Sequence, residues 1–266
     1  MGRVEADTLS NIKTKRPDNM ASYDLVLQGL EYAKKGNVMK ENTQKAVELF
    51  EKAIEVEPSY ARAHAWRACT LSNLADWEEN PDPKIFENAF ESIKLALELD
   101  SNEPEVHRIM GALKLWHERD HETARYHFEK ARELCPSDVF IISRYAIMLI
   151  YFGEFEKALS ELERAKRLDP FSHDLIFGPE ATCHYWLDNP KEALQTFKKV
   201  KVKKNYLFYI ALTHKKTGDN NQASENLREA HALTGMDNDS FIGTQPFMDK
   251  DILSALKNEL SEIQTN

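Results

Sequence analysis

The sequence predicts an all-α chain built as a solenoid of helical hairpins, and three observations carry that prediction. The 266 residues are rich in Ala, Leu, Glu and Lys and hold only nine Gly, a composition that favours helix over strand. Six segments repeat one pattern: a small residue, a bulky apolar residue four positions on, and a small residue three beyond that. The pattern recurs at a fixed interval, with Ala124 to Ala158 and Ala131 to Ala165 both 34 residues apart.

Each element follows from these. The repeating segments are KAVELFEKAIEVEP, NAFESIKLALELDS, TARYHFEKARELCP, KALSELERAKRLDP, EALQTFKKVKV and QASENLREAHAL. Spacings of three and four place the three marked side chains on one helix face, where small residues admit a neighbouring helix and the bulky one fills the gap. A period of 34 residues with this face is that of the tetratricopeptide repeat, two antiparallel helices per unit, stacked into a right-handed superhelix. The first helix of each unit should carry its own small residue at the crossing point, and Gly29, Ala68, Gly111, Ala146, Ala181 and Ala211 sit there. Pro58, Pro136 and Pro170 end three of the second helices, since proline has no N–H to continue them. About six units are expected over residues 22–235. Residues 1–21 are expected to form a mobile N-terminal linker, and 236–266 a loop and a capping helix.

Irregularities are also legible. Extra turn residues are expected around GNVMKENTQ in the first unit, and a proline-marked loop over DWEENPDPKIFE in the second. Gly178-Pro179 falls inside the first helix of the fifth unit, which should start late or kink. The connector to the sixth unit is short by about one helical turn. MDNDSFIGTQPF reads as a loop. The last amphipathic helix, from about Asp249 to Ile263, would use Ile252, Leu253, Leu256 and Leu260 to cover the sixth unit near Leu227 and Ala230.

Composition narrows the function. A formal net charge of −9 argues against non-specific nucleic-acid binding. Cys69, Cys135 and Cys183 lie far apart, without a C-x-x-C pair, which fits a reducing compartment, and Cys69 and Cys183, on predicted helices, read as inert buried thiols. No segment approaches the roughly 20 apolar residues of a membrane span. No phosphate loop, nucleophile elbow or cofactor motif is present. The expectation is a cytoplasmic, non-catalytic protein with no cofactor.

One stretch argues otherwise. HERDHETARYH, from His117 to His127, contains H-E-x-x-H and a third His at the spacing of a long zinc-protease motif. That chemistry needs both histidines on one continuous helix. The repeat register instead puts Arg119 and Asp120 in a turn, begins the second helix at His121, and gives the position of the motif's glycine to Ala124, on the packing face. No metal site is expected there. The lysines of KKVKVKK, Lys198, Lys199, Lys201, Lys203 and Lys204, read as a solvated helix end, with a docking patch for an acidic partner as the sharper reading.

Candidate binding residues come from the first helices, which line the concave groove of such arrays. Trp116, Tyr151 and Trp186 occupy equivalent places, each 35 residues from the next, and would stack as an aromatic ladder. Phe140 and Ile147 share that side of the fourth unit. Arg62 and Arg108 could add charge-assisted bonds. An aromatic row offers large contact area at small entropic cost, which suits a bound peptide, while packing between units is the competing reading. The Lys and Asn set with which chaperone-binding members of the class grip a terminal carboxylate cannot be assembled from Arg62, Asn73 and Arg108.

Beyond the repeat itself, VEADTLSNIKTKRPDNMASYDLVLQGLEYAKKG, AVELFEKAIEVEPSYARAHAWRA, RLDPFSHDL and QPFMDKDILSALKNEL resemble, over nearly the whole chain, the C-terminal repeats of bacterial class III adenylate cyclase-like proteins. Related repeats occur in some winged-helix regulators. The resemblance implies the sensory or scaffold half of such a protein, because no residues match a cyclase's metal-binding aspartates or a winged helix. The functional expectation is therefore a scaffold with a protein or peptide partner, and a homo-oligomer is compatible with it. A regulatory domain of a cyclase-like protein or transcription regulator is the alternative, and a metallopeptidase a remote third.

Overall fold

A computed structural model describes residues 19–36, 39–78, 81–171 and 173–264. Residues 1–18, on which most of the expected linker falls, lie outside the described residues. Among the described residues there are fourteen α-helices and no strand. The chain divides into two compact units, Met1–Cys135 and Pro136–Asn266.

The N-terminal unit holds α1 (Met20–Gly36), α2 (Lys40–Val56), α3 (Ala61–Ala75), α4 (Pro83–Leu99), α5 (Pro104–Leu113) and α6 (His121–Leu134). They pair as the hairpins α1/α2, α3/α4 and α5/α6, with the first helices α1, α3 and α5 also meeting one another. The face predicted from the small–bulky–small pattern closes each hairpin. Phe50 is fully buried, and a Cβ added at Gly29 would stand 2.6 Å from its ring. Phe128 meets Gly111 in the same way, at 2.8 Å. The bulky residue of each of these second helices thus lies on the bare backbone of its first helix. Gly111→Ala is expected to cost about 1–3 kcal/mol through overpacking; chemical denaturation checks this, and an unchanged midpoint would contradict the packing.

Two expected loops are partly helix. Residues Lys40–Gln44 of GNVMKENTQ form the first turns of α2. In the second insert α4 already starts at Pro83, because Asp82 caps it by accepting from the Lys84 N–H at 3.0 Å and proline suits the first helical turn. The Asp-Pro pair was a helix-start signal rather than a loop signal.

The C-terminal unit holds α7 (Val139–Tyr151), α8 (Phe155–Leu168), α9 (His173–Trp186), α10 (Pro190–Phe197), α11 (Leu207–Lys216), α12 (Asn220–Thr234), α13 (Asn238–Thr244) and α14 (Lys250–Ser261). The hairpins are α7/α8, α9/α10 and α11/α12, and again the first helices α7, α9 and α11 touch in sequence. Ala158, Leu162, Ala165, Ala193, Phe197, Ala223, Leu227 and Ala230 are all buried, as the face pattern requires. The turns inside the hairpins use left-handed residues, Gly153 at φ 75° and Gly218 at φ 81°. Asp188 takes the same conformation at φ 56°, where a side chain is disfavoured.

Two expectations for this unit are corrected in part. Of the two outcomes expected at Gly178-Pro179, a late start or a kink, the late start does not occur: α9 runs from His173 through Pro179 to Trp186. The Tyr206 ring covers the helix at Gly178, so closely that a Cβ there would clash with it. Packing of this kind holds the helix through a proline that local preference would use to break it. The segment MDNDSFIGTQPF is not all loop, because Asp237 caps α13 by accepting from the Ser240 N–H at 2.7 Å and Phe241 stacks on Phe208 at 4.0 Å. Leu227 and Ala230, near which the last helix was expected to rest, are buried, and just past that helix the Gln264 carbonyl accepts from Ser224 Oγ on α12. Polar contacts of α14 go to first helices, as described below, and to α13, where Lys257 pairs with Asp239 at 2.8 Å.

Candidate functional site

In a two-layer hairpin array the second helices pack behind the first, and the remaining face of the first helices is where a ligand can lie. The sequence-predicted residues fall on that layer in both units, with very different surroundings.

In the N-terminal unit the two arginines are committed to internal pairs. Arg62 Nη2 donates to Glu103 Oε1 at 3.1 Å, and Glu103 also caps α5. Burial lifts the Glu103 carboxyl above the usual carboxylate range, and Arg62 beside it pulls the other way. Arg108 is 4% exposed, pairs with Glu105 at 2.8 Å, and lies 5.0 Å from the centre of the Trp66 ring. Removing either partner of such a pair leaves a buried charge, so these arginines hold α3 and α5 together. Trp116 is half-buried in a π-helical turn, Lys114–Glu118, at the end of α5.

The histidines of HERDHETARYH separate. Arg119 is left-handed at φ 55°, and Asp120 caps α6 by accepting from the Thr123 N–H at 3.1 Å, so a turn splits the motif. His117 Nε2 lies 2.6 Å from Ser72 Oγ, beside the Phe86 ring. His127 points elsewhere, with Nδ1 2.9 Å from Nδ1 of His107. His107 Nε2 donates to the Ser101 carbonyl at 3.0 Å, which in the neutral ring leaves its Nδ1 an acceptor, and His127 Nδ1–H donates to it. Among the described residues no group of three or more His, Cys, Asp or Glu is placed to share a metal ion. Zinc dialysis is expected to leave no tightly held stoichiometric zinc, and one zinc per chain lost in His117→Ala would contradict this.

The histidine pair makes a pH prediction. Burial, and then His107, lowers the pKa of His127 to about 4; burial also lowers that of His107. The folded state disfavours protonation that the unfolded chain accepts near pH 6.5. Stability contributed by the neutral pair is therefore fully present above pH 6.5 and is lost as pH falls toward 4. Thermal melts of the wild type should decline over that window, and those of His127→Phe should decline less. Parallel declines would contradict the pair's role.

In the C-terminal unit the aromatic positions form one cluster, closed by the chain itself. Trp186 stacks on Phe155 at 5.5 Å and meets Tyr185, Tyr209 and Phe247 edge-on. Tyr151 meets Phe247 at 5.1 Å, and the Met248 N–H donates to the Tyr151 carbonyl at 2.9 Å. Beyond Phe247, the Tyr185 hydroxyl donates to Glu259 Oε2 at 2.7 Å. Lys215 Nζ donates to the Glu259 carbonyl at 3.0 Å and to Glu262 Oε2 at 2.5 Å. Ile252 reaches the turn at Gly153. Gln245 accepts from the Tyr209 hydroxyl of α11 at 3.4 Å, and from Phe247 to Glu262 the segment meets α7, α9 and α11. Burial and Glu259 hold the Tyr185 phenol well above its ordinary pKa, so it stays a donor. Phe140 and Ile147 are half-buried on α7, and the Arg144 guanidinium lies 5.0 Å from the Phe140 ring.

Of the residues in this arrangement, Tyr151 and Trp186 were candidates from the sequence, whereas Phe247, Lys215 and Glu259 were not. The only local signal for Phe247 was an apolar residue after Pro246 in a polar stretch. Cys183 is buried, and burial pushes its thiol pKa up, as an inert thiol requires.

The fold these units define is that of the tetratricopeptide repeat, an all-α array of helical hairpins. No protein-family model and no curated protein matches the chain. Solved structures do. PilW, described as a widely conserved type IV pilus biogenesis factor, matches with a TM-score of 0.59 at 19% identity, covering 84% of this chain and 98% of that one. TTC0263, a thermophilic TPR protein of Thermus thermophilus, matches with a TM-score of 0.54 at 15% identity, covering 81% and 100%. A monomeric mutant of IFIT1, solved with Gppp-AAAA, gives 0.66 at 18% identity, covering 91% of this chain and 59% of that one. At these identities the likeness is one of fold. Among the described residues no helix is long and apolar enough to cross a membrane.

Proposed function

We propose that the protein is a non-catalytic scaffold that binds a protein segment along the face of its first helices. One observation carries this reading: that face, in the C-terminal unit, already holds a stretch of polypeptide. The stretch is bound by an aromatic anchor, a backbone hydrogen bond and charge-assisted contacts, the means by which a peptide is held in a groove. Tyr151 and Trp186 supply the anchor site; Phe140 and Ile147 extend the same helix toward its start. In the N-terminal unit Trp116 is the aromatic position at the equivalent place, and Arg62 and Arg108 shape that face through their pairs.

The test is site-specific photo-crosslinking in cells. A photoreactive phenylalanine analogue at Phe140 is expected to capture a protein adduct, and the same analogue at Tyr126, 60% exposed on the second helix α6, is not. Equal capture from Tyr126, or none from Phe140, would overturn the reading. The resemblance to cyclase-like repeats supports a variant of it, in which the array relays binding to an attached domain. Finding such a domain in the same reading frame would favour that variant.

A further inference from the structure

We propose that Gln245–Gln264 is a resident, displaceable ligand of the first-helix face of the C-terminal unit. The partner that replaces it is a protein segment of the same chemistry: an aromatic anchor followed, some three helical turns later, by the acidic side of an amphipathic helix. This deepens the reading of that face as a protein-binding surface and rests on it.

The repeat helices and the segment are held differently. Second helices are locked by buried small–bulky–small triads such as that of α8, where Ala158, Leu162 and Ala165 are each 0% exposed. Helix α14 buries Leu256 and Leu260, but Ile252 and Leu253 on the same stripe remain half-buried. Its other attachments are discrete and side-chain specific. Phe247 sits against Tyr151 and Trp186. Glu259 takes the Tyr185 proton donor, and Glu262 takes Lys215. Lys216 lies 4.5 Å from the centre of the Tyr185 ring and pairs with Asp188 at 3.4 Å. The receiving face therefore specifies an aromatic residue at one end and carboxylates at the other.

Gly235 is left-handed at φ 72° between α12 and the Asp237 cap of α13, which itself packs on α14. A tethered occupant competes at an effective concentration of millimolar order. A second copy's segment, identical but untethered, cannot match that at ordinary concentrations, which is why the displacing occupant is a different protein. The tether also sets the regulation: the face opens to a partner that binds better than the segment does, or when the anchor is weakened.

The experiment uses the full chain and a labelled synthetic peptide spanning residues 244–264, followed by fluorescence anisotropy. The peptide is expected to bind full-length Phe247→Ala at least about tenfold more tightly than wild type, since the variant's own segment has lost its anchor. A peptide carrying the same Phe247→Ala change should lose that binding. Equal affinity of the unaltered peptide for variant and wild type would overturn the proposal. If circular dichroism shows the variant unfolded, a full chain nicked at an introduced protease site between Gly235 and Asp237 decides. Exchange of its C-terminal fragment for labelled peptide spanning 237–264 is expected, and collapse of the nicked chain or absence of exchange overturns the proposal. A wild-type mass that doubles with concentration through exchanged segments would assign the occupant to a second copy and overturn the foreign partner. Crosslinks from Phe140 that survive any of these failures would leave the scaffold reading standing, and their loss would remove both.

Discussion

Trp186→Ala should destabilise the C-terminal unit by about 3 kcal/mol, with Tyr151→Ala costing somewhat less. Trp186 touches four aromatic side chains from α8, α9, α11 and the loop before α14, so truncation removes contacts from four chain segments at once. Tyr151 contributes its ring to Phe247, and the carbonyl that accepts from Met248 is retained in the alanine variant. A double-mutant cycle between Tyr151 and Phe247 should return a coupling of about 0.5–1.5 kcal/mol, the range for aromatic pairs. Chemical denaturation monitored by tryptophan fluorescence for the Tyr151 and Phe247 variants, and by circular dichroism for Trp186→Ala, gives these values. Wild-type stability in Trp186→Ala would mean that the cluster is not packed as described.

Removing the chain from Asp249 onward is the second large effect. Leu256 and Leu260 are each 0% exposed, and burial of such side chains stabilises by about 1.5–3 kcal/mol apiece. A loss of about 3 kcal/mol or more is expected, with the uncovered faces of α9 and α11 favouring self-association. The melting temperature and the sedimentation mass check the two parts of this statement. An unchanged melting temperature together with a monomeric mass would show that α14 does not rest on the unit.

The two effects mark where sequence was informative. Helices and hairpins follow from local pattern: Ala124, Phe128 and Ala131 declare their face by spacing alone, and Phe128 over Gly111 confirms what that face packs against. The division of HERDHETARYH followed from the same register, since Arg119 and Asp120 fall where the hairpins turn. What local pattern does not carry is the destination of a segment that packs far from its neighbours in sequence. Phe247 meets Tyr151 across nearly a hundred residues, and Glu259 meets Tyr185 across 74. Neither contact has a spacing to reveal it. Tyr151 and Trp186 were legible as equivalent positions; that Phe247 of the chain's own C-terminal segment meets both was not. Arg108 is a similar case, because a groove position gives no sign that Trp66 and Glu105 bury the charge.

Native-state hydrogen exchange on the intact wild-type chain tests the account most directly. If Gln245–Gln264 is a ligand carried in cis, the amides of α14 open as their own cooperative unit, at a free energy below that of α7, α8, α9 and α12, and Phe247→Ala lowers the α14 value while leaving the others in place. Exchange of α14 only together with those helices, in a single global unfolding that Phe247→Ala shifts as one, would contradict it.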